Sequence, residues 1–257
     1  IVVFNFNWAK KLLCKKAIER FFFFLSPGSG EVAWNTYAAA REVIKAGSKA
    51  VGVDLPRVCF KNGDLYNLIK QPQIAQAASA AIGIAEYRAW CEHYEQEPEY
   101  LTGQSVGLWA TLSAARTIRG SSQLEQDYNA IKLISSRGQI IGRVESENAD
   151  NGRAGGMALI IGKLKHEAAD MLPEGMKVGV SRIGRAQTLT GYKEVVTQFI
   201  SDHVPSLGEK KLRLLEVVGA LHHELLEPAQ QPLREELERY VVMDPDKILI
   251  GNSVESG

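Results

Sequence analysis

Apolar residues recur at three-to-four spacing over 38–50 and again over 74–94, where Ile74, Ala78, Ile82, Ala85 and Trp90 fall roughly along one stripe. That period predicts two helices, each laying an apolar face on a sheet. Upstream, Phe21-Phe22-Phe23-Phe24-Leu25 is a short unbroken apolar run that stops at Ser26-Pro27-Gly28-Ser29-Gly30, the pattern of a buried strand ending in a turn. Residues 1–20 carry no pattern that can be interpreted. Further on, Tyr100-Leu101-Thr102 is a brief extended stretch, Gly103-Gln104-Ser105-Val106-Gly107 turns sharply, and 108–118 reads as a helix. The local order is strand, tight turn, helix.

Between Gly155 and Gly219 the period changes character, which suggests an inserted module. Strand 157–161, helix 164–171, strands 177–180 and 187–190, helix 192–203 and strand 212–218 follow in the order β-α-β-β-α-β, the ferredoxin-like pattern. A helix over 225–240 and a last strand over 247–250 come after it. Strands alternating with helices in the flanks predict an α/β core of mostly parallel sheet. The expected fold is a hydrolase-like parallel-sheet core with an inserted ferredoxin-like subdomain. Residues 21–154 and 219–257 are expected to form the large part, and 155–218 the small one. No repeat or low-complexity linker interrupts the chain.

Composition narrows the partners. Lys plus Arg and Asp plus Glu balance at 30 each, so no global field draws nucleic acid or an anionic membrane, and an anionic partner must meet a local patch. Cys14, Cys59 and Cys91 are odd in number and far apart, which argues against a disulfide framework or a zinc cluster and fits a reducing cytoplasm. Lys10, Lys11, Lys15 and Lys16 before Phe21 imitate a secretory leader, but five apolar residues are too few for one or for a membrane span. The chain begins without Met and stops on Gly257 soon after an apolar run, which leaves open truncation at either end.

Gly103 to Gly107 satisfies the pattern GxSxG. Glycines flank a nucleophilic serine because the strand-to-helix turn is crowded, and the serine then stands at a helix N-terminus, where the N–H of Val106 can help hold an oxyanion. On the five residues alone, a plain Gly-Ser turn is an equal reading. A serine nucleophile needs a base, and five histidines are present. His93, His166 and His203 sit among charged residues on expected helix faces, as solvated surface groups do. His222 and His223 instead follow the apolar run Val217 to Leu221 at an expected strand end, where α/β cores place catalytic groups. The pair could otherwise begin a helix or be a chance metal-like pair, and with no further ligands nearby in sequence metal binding is disfavoured.

Taken together, these segments resemble the malonyl-CoA:acyl carrier protein transacylases and the acyltransferase domains of fatty acid and polyketide synthases. Phe24-Leu25-Ser26-Pro27-Gly28-Ser29-Gly30 is similar to that family's FxFPGQG opening, and 51–60 with Leu65-Tyr66-Asn67-Leu68 and Gln71-Pro72 to its LGYDL and TQPAL segments. Gly103 to Gly107 stands where GHSLG does. Gly155-Gly156-Met157-Ala158-Leu159-Ile160-Ile161-Gly162 resembles GGMAAVIG, and Gly219-Ala220-Leu221-His222 with Leu225-Leu226-Glu227-Pro228-Ala229 resembles GAFHSPLMxPA. The resemblance covers roughly residues 21–254. It implies Ser105 as nucleophile, His222 rather than His223 as base, and backbone N–H groups of Ser29 and Val106 as oxyanion donors. It also implies Arg137, in Ser136-Arg137-Gly138, as partner of the malonyl carboxylate, with Gln104 in the substrate-binding position usually held by a histidine.

The departures are Gln104, Leu108 in place of a glutamate, Ser29 in place of a glutamine, and Ser181-Arg182-Ile183-Gly184-Arg185 in place of an Asn-rich segment. The family's closing Gln-Trp and glycine-rich motifs, which carry the carbonyl that orients the histidine, are not found before Gly257, so the chain is expected to lack that orienter. What the resemblance implies is ping-pong transfer of malonyl, or a related acyl group, from coenzyme A to an acyl carrier protein. It requires no cofactor beyond the thioester substrate, no nucleic acid and no membrane, and it fits a cytoplasmic protein of fatty acid or polyketide synthesis. An acidic carrier protein implies a basic docking face, for which Arg182, Arg185, Lys210, Lys211 and Arg213 are candidates. A hydrolase built on the same Ser-His pair, and a degenerate member that only binds a carrier protein, are the alternatives.

Overall fold

The computed structural model describes residues 2–3, 28–60, 67–68, 71–98, 100–103, 105–161, 172–182, 186–207, 211–242 and 248–251. The expected strand 21–25, the helix 164–171, and Gln104, His166, Arg185 and Lys210 lie outside them. The chain divides into two compact units, residues 1–138 with 234–257, and residues 139–233. The expected small module, 155–218, falls inside the second.

The first unit is built on a parallel sheet. Strand β1 (Val2–Val3) and strand β7 (Ile248–Gly251) flank β2 (Tyr100–Gly103), with Val2 opposite Leu101 and Gly103 opposite Gly251. Strand β1 comes from the opening residues whose pattern could not be interpreted. Helices α1 (Glu31–Thr36), α2 (Ala38–Val51), α3 (Leu55–Phe60), α4 (Pro72–Tyr94) and α5 (Val106–Ala114) follow the chain.

The single apolar stripe expected on α4 is corrected: Ile74, Ala77 to Ala85, Tyr87 and Ala89 are buried on every side, so the helix is a central one. Small residues let its neighbours close on it. A Cβ on Gly47 of α2 would stand 2.9 Å from that of Ala81, and one on Gly83 would stand 3.5 Å from that of Ala110 on α5. The helix expected to reach residue 118 stops at Ala114. Arg116 turns left-handed at φ 59°, and the Thr117 N–H reaches back to the Leu112 carbonyl at 3.0 Å, closing the helix in the manner of a left-handed cap.

A 28-residue helix, α6 (Gln123–Asp150), was not delineated from the sequence, and the division between the units falls inside it. Its start is capped in a variant of the capping box: the Ser122 hydroxyl accepts from the Glu125 N–H at 3.2 Å, and the Glu125 carboxylate reaches one residue further back, to the Ser121 N–H at 2.7 Å.

In the second unit, β3 (Gly155–Ile161), β4 (Met176–Arg182), β5 (Ala186–Tyr192) and β6 (Leu212–Leu214) form an antiparallel sheet in the order β4-β5-β3-β6. Helix α7 (Lys193–Leu207) lies on it through Val196 and Phe199, which pack with Ala158, Ile160, Leu189 and Leu212. Each such side chain, fully buried, contributes about 1.5–3 kcal/mol. The strand expected over 212–218 ends at Leu214. The Leu215 N–H still meets the Met157 carbonyl at 2.9 Å, but the Val217 N–H turns back to Leu215 and Gly219 adopts φ 86°. The helix expected over 225–240 is a 3-10 turn, Glu224–Ala229, containing Pro228, followed by α8 (Gln230–Tyr240). Pro228 has no N–H to give, which breaks the run. No helix of the described residues is long and apolar enough to cross a membrane.

Candidate active site

Ser105 follows the central strand of the parallel sheet and caps α5, at the end of the sheet where α/β proteins place their sites. Its backbone, at φ 53° and ψ −123°, lies in a region that costs an L-residue of order 1–3 kcal/mol. Three other described non-glycine residues have positive φ. Glu95 and Arg116 follow helix ends, where a left-handed residue is an ordinary cap, and the third is His222. Ser105 is half-buried, and its carbonyl accepts from the Leu108 N–H at 3.0 Å. Val106 opens α5, so its N–H has no acceptor within the helix and points where an anion is favoured. The far end of α5 is anchored: the Ser113 hydroxyl donates to Asp127 at 2.6 Å, and Arg88 grips the same buried carboxylate through Nε at 3.2 Å and Nη2 at 2.9 Å.

Ser29 sits in the turn that leads into α1. Gly28 donates to the Cys59 carbonyl at 2.8 Å, and Gly30, at φ 80°, lies so near Ile82 that a Cβ would stand 3.0 Å from it. Burial pushes the Cys59 thiol up to about 12, so it is no competing nucleophile.

Arg137 projects from α6 against α4 and α5. Its guanidinium donates to Gln76 Oε1 and lies 5.5 Å from the Trp109 ring centroid, one helical turn along α5 from Ser105. Burial lowers its pKa to about 10, and no carboxylate among the described residues pairs with it. The glycine beside it is required by packing, since a Cβ on Gly138 would stand 2.4 Å from Gln73 Cα and 2.5 Å from the Pro72 carbonyl oxygen. Sequence reasoning missed Gln76 and Trp109, whose helical positions alone do not show that they meet an arginine.

In the second unit, His222 is exposed, at φ 64°, between Gly219 and the 3-10 turn. The adjacent His223 is engaged elsewhere. Its Nδ1 accepts from the Leu225 N–H at 3.2 Å, its ring meets Tyr192 edge-on at 5.9 Å, and Nε2 lies 3.3 Å from the Glu224 carboxylate. Burial pulls its pKa down, against the upward pull of Glu224. His203, expected on a solvated face, is half-buried, stacked 4.1 Å from Phe199 and bonded to that residue's carbonyl. His93 is exposed and bonded to the Tyr37 hydroxyl at 3.0 Å. Of the candidate docking residues, Lys211 and Arg213 are exposed.

This α/β fold matches that of solved malonyl-CoA:acyl carrier protein transacylases. The Helicobacter pylori enzyme superposes with a TM-score of 0.75 at 18% identity, covering 91% of this chain and 72% of its own. A transacylase solved in complex with a type II polyketide synthase acyl carrier protein gives 0.71 at 21%, covering 89% and 71%. No family model matches the sequence.

The sequence relatives point the same way. The malonyl CoA-acyl carrier protein transacylase of Escherichia coli O157:H7 is 26% identical over 247 residues, 90% of this chain and 74% of that protein. The polyketide biosynthesis protein ThaF of Burkholderia thailandensis is 25% identical over 229 residues, and the match spans 85% of this chain but only 18% of ThaF. Relatives and folds thus consistently identify one family, the malonyl-CoA:acyl carrier protein transacylases with their polyketide-associated members, as what this chain is similar to.

Proposed function

We propose that the chain is an acyltransferase that loads malonyl, or a related acyl group, from coenzyme A onto Ser105 and passes it to the phosphopantetheine thiol of an acyl carrier protein. The observation that carries the reading is the Ser105 backbone, held in a strained conformation at the mouth of a helix, which is the cost of exposing a nucleophile. The names of the relatives supply the substrate class, and the solved transacylase–carrier complex supplies the kind of partner. The two units are read as the hydrolase-like parallel-sheet core and the ferredoxin-like subdomain, the latter on its strand order.

In the reaction, Ser105 Oγ attacks the thioester carbonyl while His222 takes the hydroxyl proton, and the N–H groups of Val106 and Ser29 hold the oxyanion. The C–S bond breaks, and the proton leaves with the coenzyme A thiol. The carrier thiol then attacks the acyl-serine by the reverse path, returning the proton to Ser105. Arg137 receives the malonyl carboxylate: a guanidinium already desolvated over Trp109 gains a charge-assisted, bidentate partner worth about 1.5–3 kcal/mol. His223 caps a turn, which leaves His222 as the base.

Incubation with radiolabelled malonyl-CoA tests the reading. Label stable to denaturation should appear on the protein, disappear in Ser105→Ala, and chase onto an added holo acyl carrier protein. Label released only to water would make the protein a hydrolase.

A further inference from the structure

Glu145, on α6, is a buried carboxylate that the reaction above does not use. It is 5% exposed, and its two oxygens accept from two backbone groups far apart in sequence, the Gly155 N–H at 3.3 Å and the Ala220 N–H at 3.1 Å. The first opens β3 and the second lies two residues before His222. A glycine stands at or just before each of these positions, for the same reason. A Cβ on Gly219 would stand 2.3 Å from the Glu145 carboxyl carbon, and a Cβ on Gly155 would stand 2.4 Å from the Ala220 nitrogen and 2.8 Å from Glu145 Oε2. Gly155 and Gly219 therefore make room for one carboxylate.

One helical turn further on, Asn148 donates from Nδ2 to the Leu225 carbonyl at 2.8 Å. Glu145 and Asn148 share a face of α6. They seize the chain at 220 and 225, on either side of His222, whose positive φ has to be imposed by its surroundings. Structural capping alone would need neither two grips nor a buried charge, since burying a carboxylate is costly unless it is well bonded.

We propose that Glu145, seconded by Asn148, is the positioning residue for the catalytic histidine, clamping the 220–225 turn so that the His222 ring is presented in one orientation. The inference rests on His222 being the base. Because misplacing a catalytic group by about 1 Å can cost about 100-fold, Glu145→Gln, which sets an amide donor against one of the two N–H groups, should slow loading of Ser105 by about 10- to 100-fold, with the KM for malonyl-CoA unchanged. Asn148→Ala should do the same more weakly, by about threefold, and keeps the test alive should the Glu145→Gln protein misfold.

The discriminating measurement repeats both substitutions in a His222→Ala background, where a residue acting through His222 has nothing left to position and the further loss should be under about twofold. In the free protein, the His222 ring resonances should move with Glu145→Gln while those of His93 stay. Equal losses from a folded variant in both backgrounds overturn the positioning role and leave the function standing. A His222→Ala variant that loads at the wild-type rate overturns the choice of base and this inference with it.

Discussion

Ser105 and His222 share an unusual backbone, at φ 53° and 64°, yet the two turns are held by different means. The serine turn is local. Gly103 ends a paired strand, Ser105 caps the next helix, and the Leu108 N–H closes on the Ser105 carbonyl, so all the determinants fall within six residues. The histidine turn is held from outside, by Glu145 and Asn148, which lie about 75 positions away in sequence. A local device can be carried by a short motif. A remote one needs its motif and its partner together, and only the glycines left to accommodate the partner are visible in the motif.

The largest effects should come from removing the two side chains these turns present. On the proposed mechanism Ser105→Ala removes the atom that would carry the acyl group, so covalent label should vanish. His222→Ala leaves the proposed oxyanion donors and the arginine in place, and loading should fall by about 10²- to 10⁴-fold, the range typical of general-base catalysis, with a measurable residue. Residual loading that exceeds this, or label persisting in Ser105→Ala, would break the assignment of roles.

What the sequence made legible follows the same division. Helices α2 and α4, the strand and turn before α5, and the order of β3 to β6 were all readable, because each is set by a period or a turn residue within a short window. The end of α5 and the short β6 were misjudged because Arg116 and Val217 turn the chain through backbone bonds that leave no mark on hydropathy. Helix α6 was missed although Ser122 and Glu125 spell a capping box, since no single amphipathic stripe follows it: Ala130, Ile131, Leu133 and Ile134 are buried on adjoining faces. Glu145 is one acidic residue in a stretch rich in charged and amide side chains from Arg143 to Asn151, and nothing local separates it from the solvated ones. The glycine pair at 155–156 and the glycine at 219 were the available signal, and they pointed to close packing without naming what packs.

Next in size are effects at the arginine. If Arg137 binds the malonyl carboxylate, Arg137→Ala leaves that charge unpaired, and malonyl loading should fall about 100-fold, or about 2.7 kcal/mol at about 1.36 kcal/mol per tenfold. Acetyl-CoA carries no such group and should lose little. Equal losses for the two thioesters would assign Arg137 to structure, through Gln76 and Trp109, and withdraw the malonyl specificity. Gly138→Ala probes the same place sterically. The nearest atoms to its new methyl are backbone atoms of Gln73 and Pro72, which cannot swing aside, so a loss of about 1–3 kcal/mol in a denaturant melt is expected.

The smallest effect should be at His223, and it sharpens the contrast between neighbours. Its ring caps the 3-10 turn by accepting from the Leu225 N–H at Nδ1, which requires a neutral imidazole with its proton on Nε2. Burial accordingly holds the folded pKa below the ordinary 6.5. A base whose folded pKa is depressed contributes stability that is present above the unfolded value and lost as pH falls through the folded one, so the cap should fail on acidification below pH 6.5. His223→Ala removes the cap at every pH. It should cost about 1 kcal/mol, or about 2–4 °C in Tm for a chain of this size, and should flatten the difference between melts taken at pH 7.5 and pH 5. Loading at pH 7.5 and 25 °C should change little, because the grips at 220 and 225 remain. If His223→Ala instead abolishes loading at unchanged stability, the roles of the two histidines are reversed and the base is His223.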